Sequence, residues 1–239
     1  MTKRNRTEFP FLETLLACPA PVVMEVKRRD AHGFDLLGGR TPAAIVGAYE
    51  TAGAPCISVV TGRWFGGSPA LLRDVAALTD LPLLQKDFIT RKDHVHTAKE
   101  LGASAVLLTA ALLPGSSMLT LVTECLRSGL TPFVEITKES ELEQIRHPAE
   151  CVIAVNNKDI KTRERGAGDL GRSLDLLPAI RATGTACPVS ASGIDGPAVA
   201  AGLLDAGFRG LLVGTSLLRS GSPTAWMAAV AGARAGAVR

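Results

Sequence analysis

The amino-acid sequence predicts an α/β fold, a (β/α)8 (TIM) barrel with a short N-terminal helical extension. Three observations carry this expectation. Eight short apolar runs recur along the 239 residues, and amphipathic stretches of helical period lie between them. The runs are continuously apolar rather than alternating, which is the pattern of parallel strands covered on the outside by helices. An open doubly wound sheet is the alternative, but eight regular units and the lack of a GxGxxG after the first run count against it.

Taken in order, FLETLLA (11–17) precedes the first run and reads as a short helix lying across one end of the barrel. The predicted strands are PVVMEV (21–26), PCISVV (55–60), PLLQKDF (82–88), AVLLTA (105–110), TPFVEI (131–136), CVIAVN (151–156), PVSAS (188–192) and GLLVGT (210–215). Between them lie TPAAIVGAYETAG, SPALLRDVAALTD, RKDHVHTAKELGA, MLTLVTECLRSG, KESELEQIR and PAVAAGLLDAG. Many of these open on Ser, Thr, Pro or acidic residues and several close on Gly, as helix caps do.

Composition bounds the rest. With 46% hydrophobic and 21% charged residues, the chain has material for a large core and reads as one soluble domain over residues 1–239. A net charge of +3, spread out except for KRNR near the start, gives no nucleic-acid footprint but suits an anionic small molecule. Cys18, Cys56, Cys125, Cys151 and Cys187 stand singly without metal-ligand spacing, so buried reduced thiols are expected and no metal site. No run approaches the roughly 20 apolar residues of a membrane span, and no signal peptide is evident, so no membrane partner is expected and the cytoplasm is the default location. Oligomeric state is not legible.

In barrels of this kind chemistry sits at the carboxyl ends of the strands. The polar residues there are Glu25 and Lys27 from strand 1, Lys86 from strand 3, Glu135 from strand 5, Asn156 from strand 6, and Ser190 and Ser192 from strand 7. Glu25 and Lys27 are two positions apart, so a strand carries both on one face. Singly, each has a structural reading: a barrel interior holds ion pairs, and Asn156 can cap a loop. Together they put opposite charges into one desolvated cup, which shifts pKa values toward working pH and suits a lysine acid and a glutamate base.

Ser192-Gly193 and Gly214-Thr215 fall where the loops after strands 7 and 8 form, a place where backbone N–H groups bind phosphate. Ordinary glycine turns are the plain alternative. Trp64 and Phe65, in TGRWFGGSP after strand 2, either wall off an aryl group or plug the barrel rim. His32, in the loop after strand 1, is within reach of a substrate; His94, His96 and His147 lie on helix-like segments facing solvent.

These residues also carry a resemblance. MEVKR, YETAGAPCISVVT with FGGS, LLQKDFI, GASAVLLTAALL, FVEI, VNNKDI, SASGI and LLVGTSLL occur in the order seen in the indole-3-glycerol phosphate synthase family, across about residues 20–225. The resemblance implies a (β/α)8 barrel that converts 1-(2-carboxyphenylamino)-1-deoxyribulose 5-phosphate by ring closure, loss of CO2 and loss of water, without metal or organic cofactor. It implies Lys86 as the acid on the substrate ketone, Glu135 as its partner in proton transfer, and Glu25 with Lys27 in ring closure and dehydration. Asn156 and Lys158 match substrate-holding positions, and Ser192, Gly193, Gly214 and Thr215 match the phosphate site.

The chain departs from the family pattern at four positions. Asp30 stands where Ser is usual, Gly62 where Glu is usual after the strand 2 Thr, Lys158 where Arg is usual, and Ala191 where Glu is usual. KTRERGAGD is longer than usual and the N-terminal extension shorter. Three other readings follow: a diverged member acting on another amino- or keto-sugar phosphate, a Schiff-base enzyme using Lys86, and a barrel that binds a phosphate ligand without catalysis.

Overall fold

The computed structural model describes residues 8–159, 166 and 168–237. Eight strands close into one parallel barrel in sequence order: β1 (Val22–Val26), β2 (Ile57–Val60), β3 (Leu83–Lys86), β4 (Ala105–Thr109), β5 (Thr131–Ile136), β6 (Val152–Asn156), β7 (Cys187–Ala191) and β8 (Gly210–Val213). Closure comes from the β1–β8 pairing, with Val22 opposite Leu211 and Met24 opposite Val213. Every strand residue is buried, as the unbroken apolar runs require.

The strand period of two sorts side chains into two cores. Val22, Met24, Ile57, Val59, Val134 and Ile153 pack outward against the helices. Val23, Leu84, Leu107, Phe133, Ala154 and Val189 fill the barrel interior. Helix α1 (Pro10–Ala17) delivers Phe11, Leu12 and Leu15 into that same inner cluster. Phe11 meets Phe133 edge-on, with ring centroids 6.2 Å apart and planes at 83°. The predicted N-terminal helix therefore plugs the amino-terminal end of the barrel and leaves the carboxyl end for chemistry.

The outer helices are α2 (Pro42–Thr51), α3 (Pro69–Ala76), α4 (Lys92–Glu100), α5 (Gly115–Arg127), α6 (Leu170–Ala182), α7 (Pro197–Ala206), α8 (Thr215–Arg219) and α9 (Pro223–Ala237). Their starts follow the local chemistry: Thr41 and Ser68 accept the N–H groups of Ala44 and Leu71, and Pro42 and Pro69 supply the preset φ of a first turn. After β5 the predicted α-helix is replaced by two 3-10 turns, Glu139–Gln144 and Pro148–Glu150. The segment offers little apolar stripe, and the Glu141 carboxylate accepts the Thr137 N–H at 2.7 Å, tightening the first turn instead.

Cys56, Cys125, Cys151 and Cys187 are buried and Cys18 is half-buried, all as free thiols. Burial pushes Cys151 and Cys187 up to about 12, so they are inert packing groups. Among the described residues no helix is long and apolar enough to cross a membrane. The expected extra length of KTRERGAGD falls mostly outside the described residues.

Candidate active site

The inner face of the barrel changes character toward the carboxyl ends of the strands. One layer above Val23, Leu84, Phe133 and Ala154, the same alternation brings Glu25, Lys86, Glu135 and Asn156 inward, with Lys27 following Glu25 just past the end of β1. All five are buried. An apolar floor thus supports a charged layer.

Glu25 is 1% exposed and lies between two amines, its Oε1 3.0 Å from Lys27 Nζ and its Oε2 3.3 Å from Lys86 Nζ. Burial on its own raises the carboxyl pKa, but the two ammonium groups and their hydrogen bonds outweigh it and hold Glu25 at about 2. Tyr49 of α2 donates its hydroxyl to the Glu25 carbonyl at 2.8 Å, fixing the backbone beneath the carboxylate. Gly214 lies against the carboxylate itself, and a β-carbon there would collide with Glu25 Oε1. The missing side chain between β8 and α8 is therefore what leaves room for the Glu25 carboxylate at the closure seam.

Glu135 is 3% exposed on β5, opposite Thr109 of β4 and Ala154 of β6. Asn156 is fully buried: its Oδ1 accepts the Lys158 N–H at 2.9 Å, while its Nδ2 donor has no protein partner among the described residues. A buried amide donor left unpaired in a strand-end layer is suited to a ligand acceptor.

Beside this layer opens a cavity of about 290 Å³. Glu25, Lys27 and Lys86 border it at one end, and Ser192, Gly193, Gly214 and Thr215 at the other, with Lys158 and His32 also on its wall. Glu135 and Asn156 share the charged layer but do not border this cavity. Trp64 and Phe65 lie on a 3-10 turn, Arg63–Phe65, outside its lining. Phe65 faces Lys27 Nζ at 5.5 Å from the ring centroid, and the exposed Trp64 meets Phe88 edge-on at 4.8 Å. His96 is exposed beside Glu124, while His147 sits at a left-handed turn with φ 56° rather than on a helix.

Ser190 corrects the sequence reading. It points outward from the barrel, not into the mouth, because Val189 and Ala191 take the inward positions of β7. Its hydroxyl belongs to a buried network: Asn157 Nδ2 donates to Ser190 Oγ at 3.0 Å and to the carbonyls of Ala191 and Ser192 at 3.1 Å each. Ser173 of α6 donates to Asn157 Oδ1 at 2.8 Å and lies 2.8 Å from Ser190 Oγ. The network grips the turn at which Ser192 and Gly193 adopt φ values of 66° and 72°. A non-glycine residue in that region is held there by its surroundings. Asn157, Ser173 and Tyr49 were not singled out by sequence; the second Asn of VNN and the chain's one Tyr, on an apolar helix, were the available signals.

The departures from the family pattern fall around this layer. Ala191 occupies an inward position beside Asn156, where a Glu would add a third buried carboxylate. A β-carbon at Gly62 would stand 3.5 Å from Asp87 Oδ1 and 3.6 Å from Trp64 Nε1, so that space adjoins an existing carboxylate. Thr61 donates to the same Asp87 at 2.7 Å. Asp30 is buried at the cavity wall and paired with Arg219.

Comparison with known proteins adds an independent line. Residues 2–230 match the family model described as indole-3-glycerol phosphate synthase. Curated proteins of that name are similar along most of the chain. The one from Nocardioides is 38% identical over 87% of this chain and 78% of the relative. The one from Pyrococcus furiosus is 36% identical over 85% and 88%, respectively. Among solved structures, 3-hexulose-6-phosphate synthase from Salmonella typhimurium superposes with a TM-score of 0.69 over 90% of this chain and 98% of its own, at 11% identity, a likeness of fold alone.

Proposed function

The chain belongs to the indole-3-glycerol phosphate synthase family, and we propose that it converts 1-(2-carboxyphenylamino)-1-deoxyribulose 5-phosphate to indole-3-glycerol phosphate with the residues of the charged layer. This is a carboxy-lyase activity, the ring-forming step of tryptophan biosynthesis. The single observation that supports the assignment of residues most strongly is the Lys27–Glu25–Lys86 triad, two amines fixed on one buried carboxylate.

Ring closure forms a bond between the aryl carbon that bears the carboxylate and the ketone carbon. The carbonyl electron pair moves to oxygen, and Lys86 supplies the proton that oxygen takes up. Breaking the bond to the carboxylate returns its electron pair to the ring and releases CO2. Dehydration then removes a proton from one ring carbon and a protonated hydroxyl from the next, which needs an acid and a base at one ring. Lys27 serves as cation to the substrate carboxylate and then as proton donor, and Glu135 serves as the partner in proton transfer.

Glu25, held at about 2, stays ionised throughout. Its part is to fix the two amine nitrogens rather than to carry a proton itself. The turns at Ser192-Gly193 and Gly214-Thr215 receive the phosphate, with Lys158 beside them; Asn156, which does not border the cavity, supports this wall by accepting the Lys158 N–H. Gly62 and Ala191 favour a second reading in which the same proton-transfer set acts on a different amino- or keto-sugar phosphate.

Incubating the protein with the carboxyphenylamino-deoxyribulose phosphate decides between them. The expected result is indole fluorescence together with a product lighter by one CO2 and one water. Product no greater than that of a Lys86→Met control overturns the first reading, and turnover of another sugar phosphate in the same assay establishes the second.

A further inference from the structure

Asp30 is the hub of a strap along the wall of the cavity. Its Oδ1 accepts the N–H groups of His32 at 2.9 Å and Phe34 at 3.0 Å, which folds the loop after β1 into a tight turn. Its Oδ2 accepts Arg219 Nη2 at 2.7 Å, from the last residue of α8. A second tie runs parallel to the first. Arg40, from the same loop, donates to the carbonyls of Leu36, Leu37 and Leu218, each at 2.7 Å.

Asp30, His32, Phe34 and Arg219 all border the cavity that Ser192 and Gly214 border from the other side. The Asp30 side chain is 9% exposed, whereas the Arg219 side chain is 59% exposed and makes no other hydrogen bond among the described residues. One edge of the guanidinium is thus anchored and its other N–H donors remain available toward the cavity. A fork held in this way loses less conformational freedom on meeting an anion than a free side chain does.

We propose that Arg219 is a substrate-binding cation for the phosphate end of the cavity and that Asp30 is the residue that positions it. The proposal rests on the reading that the substrate's phosphate occupies this cavity. It makes the loop after β1 a fixed wall, tied to α8 before any ligand arrives. It also assigns the Asp30 carboxylate a cooperative role, since an isolated carboxylate at that wall would repel a dianion.

Titrating the intact protein with inorganic phosphate, followed by phosphorus NMR or calorimetry, tests the pair without requiring turnover. Arg219→Met is expected to weaken phosphate binding about tenfold, the scale of one charged hydrogen-bonded contact. Asp30→Ser is expected to weaken it less, and the Asp30→Ser, Arg219→Met double variant no more than Arg219→Met alone. Thermal unfolding on the same samples reports folding, and Arg219→Lys, which keeps the charge but loses the fork, should fall between Met and wild type. Unchanged binding in Arg219→Met, or tighter binding in Asp30→Ser, overturns the proposal. Arg219-dependent phosphate binding in a protein that forms no indole product would overturn the ring-closing reading and leave this one standing.

Discussion

The two ends of the cavity are built by different means. At the proposed acid–base end, side chains from β1 and β3 border the cavity directly, and Glu25 holds Lys27 and Lys86 within 3.3 Å. At the proposed phosphate end, the turn at Ser192 offers its backbone, and side chains that face away from the cavity, Asn157, Ser173 and Ser190, grip that turn from behind. The difference teaches where damage should register. Removing a group at the first end removes a reactant, whereas removing one at the second lets a binding surface relax.

The largest effect should follow the loss of a proton donor. Lys86→Met is expected to lower kcat by about 10²–10⁴, the usual range for a positioned acid or base. Steady-state kinetics checks this, and a variant that keeps most of its kcat would move the chemistry away from β3.

Next comes the acid dependence of stability. The folded-state pKa of Glu25 lies near 2, below its ordinary value of 4.5. Its contribution is therefore fully present above about pH 4.5 and is lost as pH falls from there toward 2, on the order of 3 kcal/mol at about 1.4 kcal/mol per unit. Equilibrium unfolding across that window should show the loss, and Glu25→Gln should flatten it. A wild-type profile no steeper than the variant's would separate Glu25 from its two lysines.

Gly214→Ala joins the two ends. Its β-carbon would displace the Glu25 carboxylate at the edge of the proposed phosphate site, so kcat and KM should both worsen, with kcat/KM down roughly 10- to 100-fold for a misplaced group. The smallest of these effects belongs to Asn157→Ala. Losing the amide leaves Ser190 and the Ser192 turn without their grip, which should raise KM about tenfold, at about 1–3 kcal/mol for a buried network, while kcat changes less.

The contrast also explains what was legible in the sequence. A charge inside an apolar run is an anomaly that one strand reveals, so Glu25, Lys27, Lys86 and Glu135 were visible, as was the barrel that gathers them. Ser190 was misread because it was taken with Ser192 as a polar residue at the end of strand 7, whereas Val189 and Ala191 hold the inward positions of that strand. The helix expected after β5 yielded to 3-10 turns for want of an apolar stripe. Arg219 lies 189 residues from Asp30 and meets it because closure sets β8 beside β1. Local pattern does not encode that encounter.

The most direct test of the division between the two ends is steady-state kinetics of Lys86→Met and Asn157→Ala, measured side by side on the carboxyphenylamino-deoxyribulose phosphate. The account predicts that the first variant loses mainly kcat and the second mainly gains KM. If both variants lost kcat alike with KM unchanged, the buried network would be serving the chemistry rather than the phosphate, and the division drawn here would be wrong.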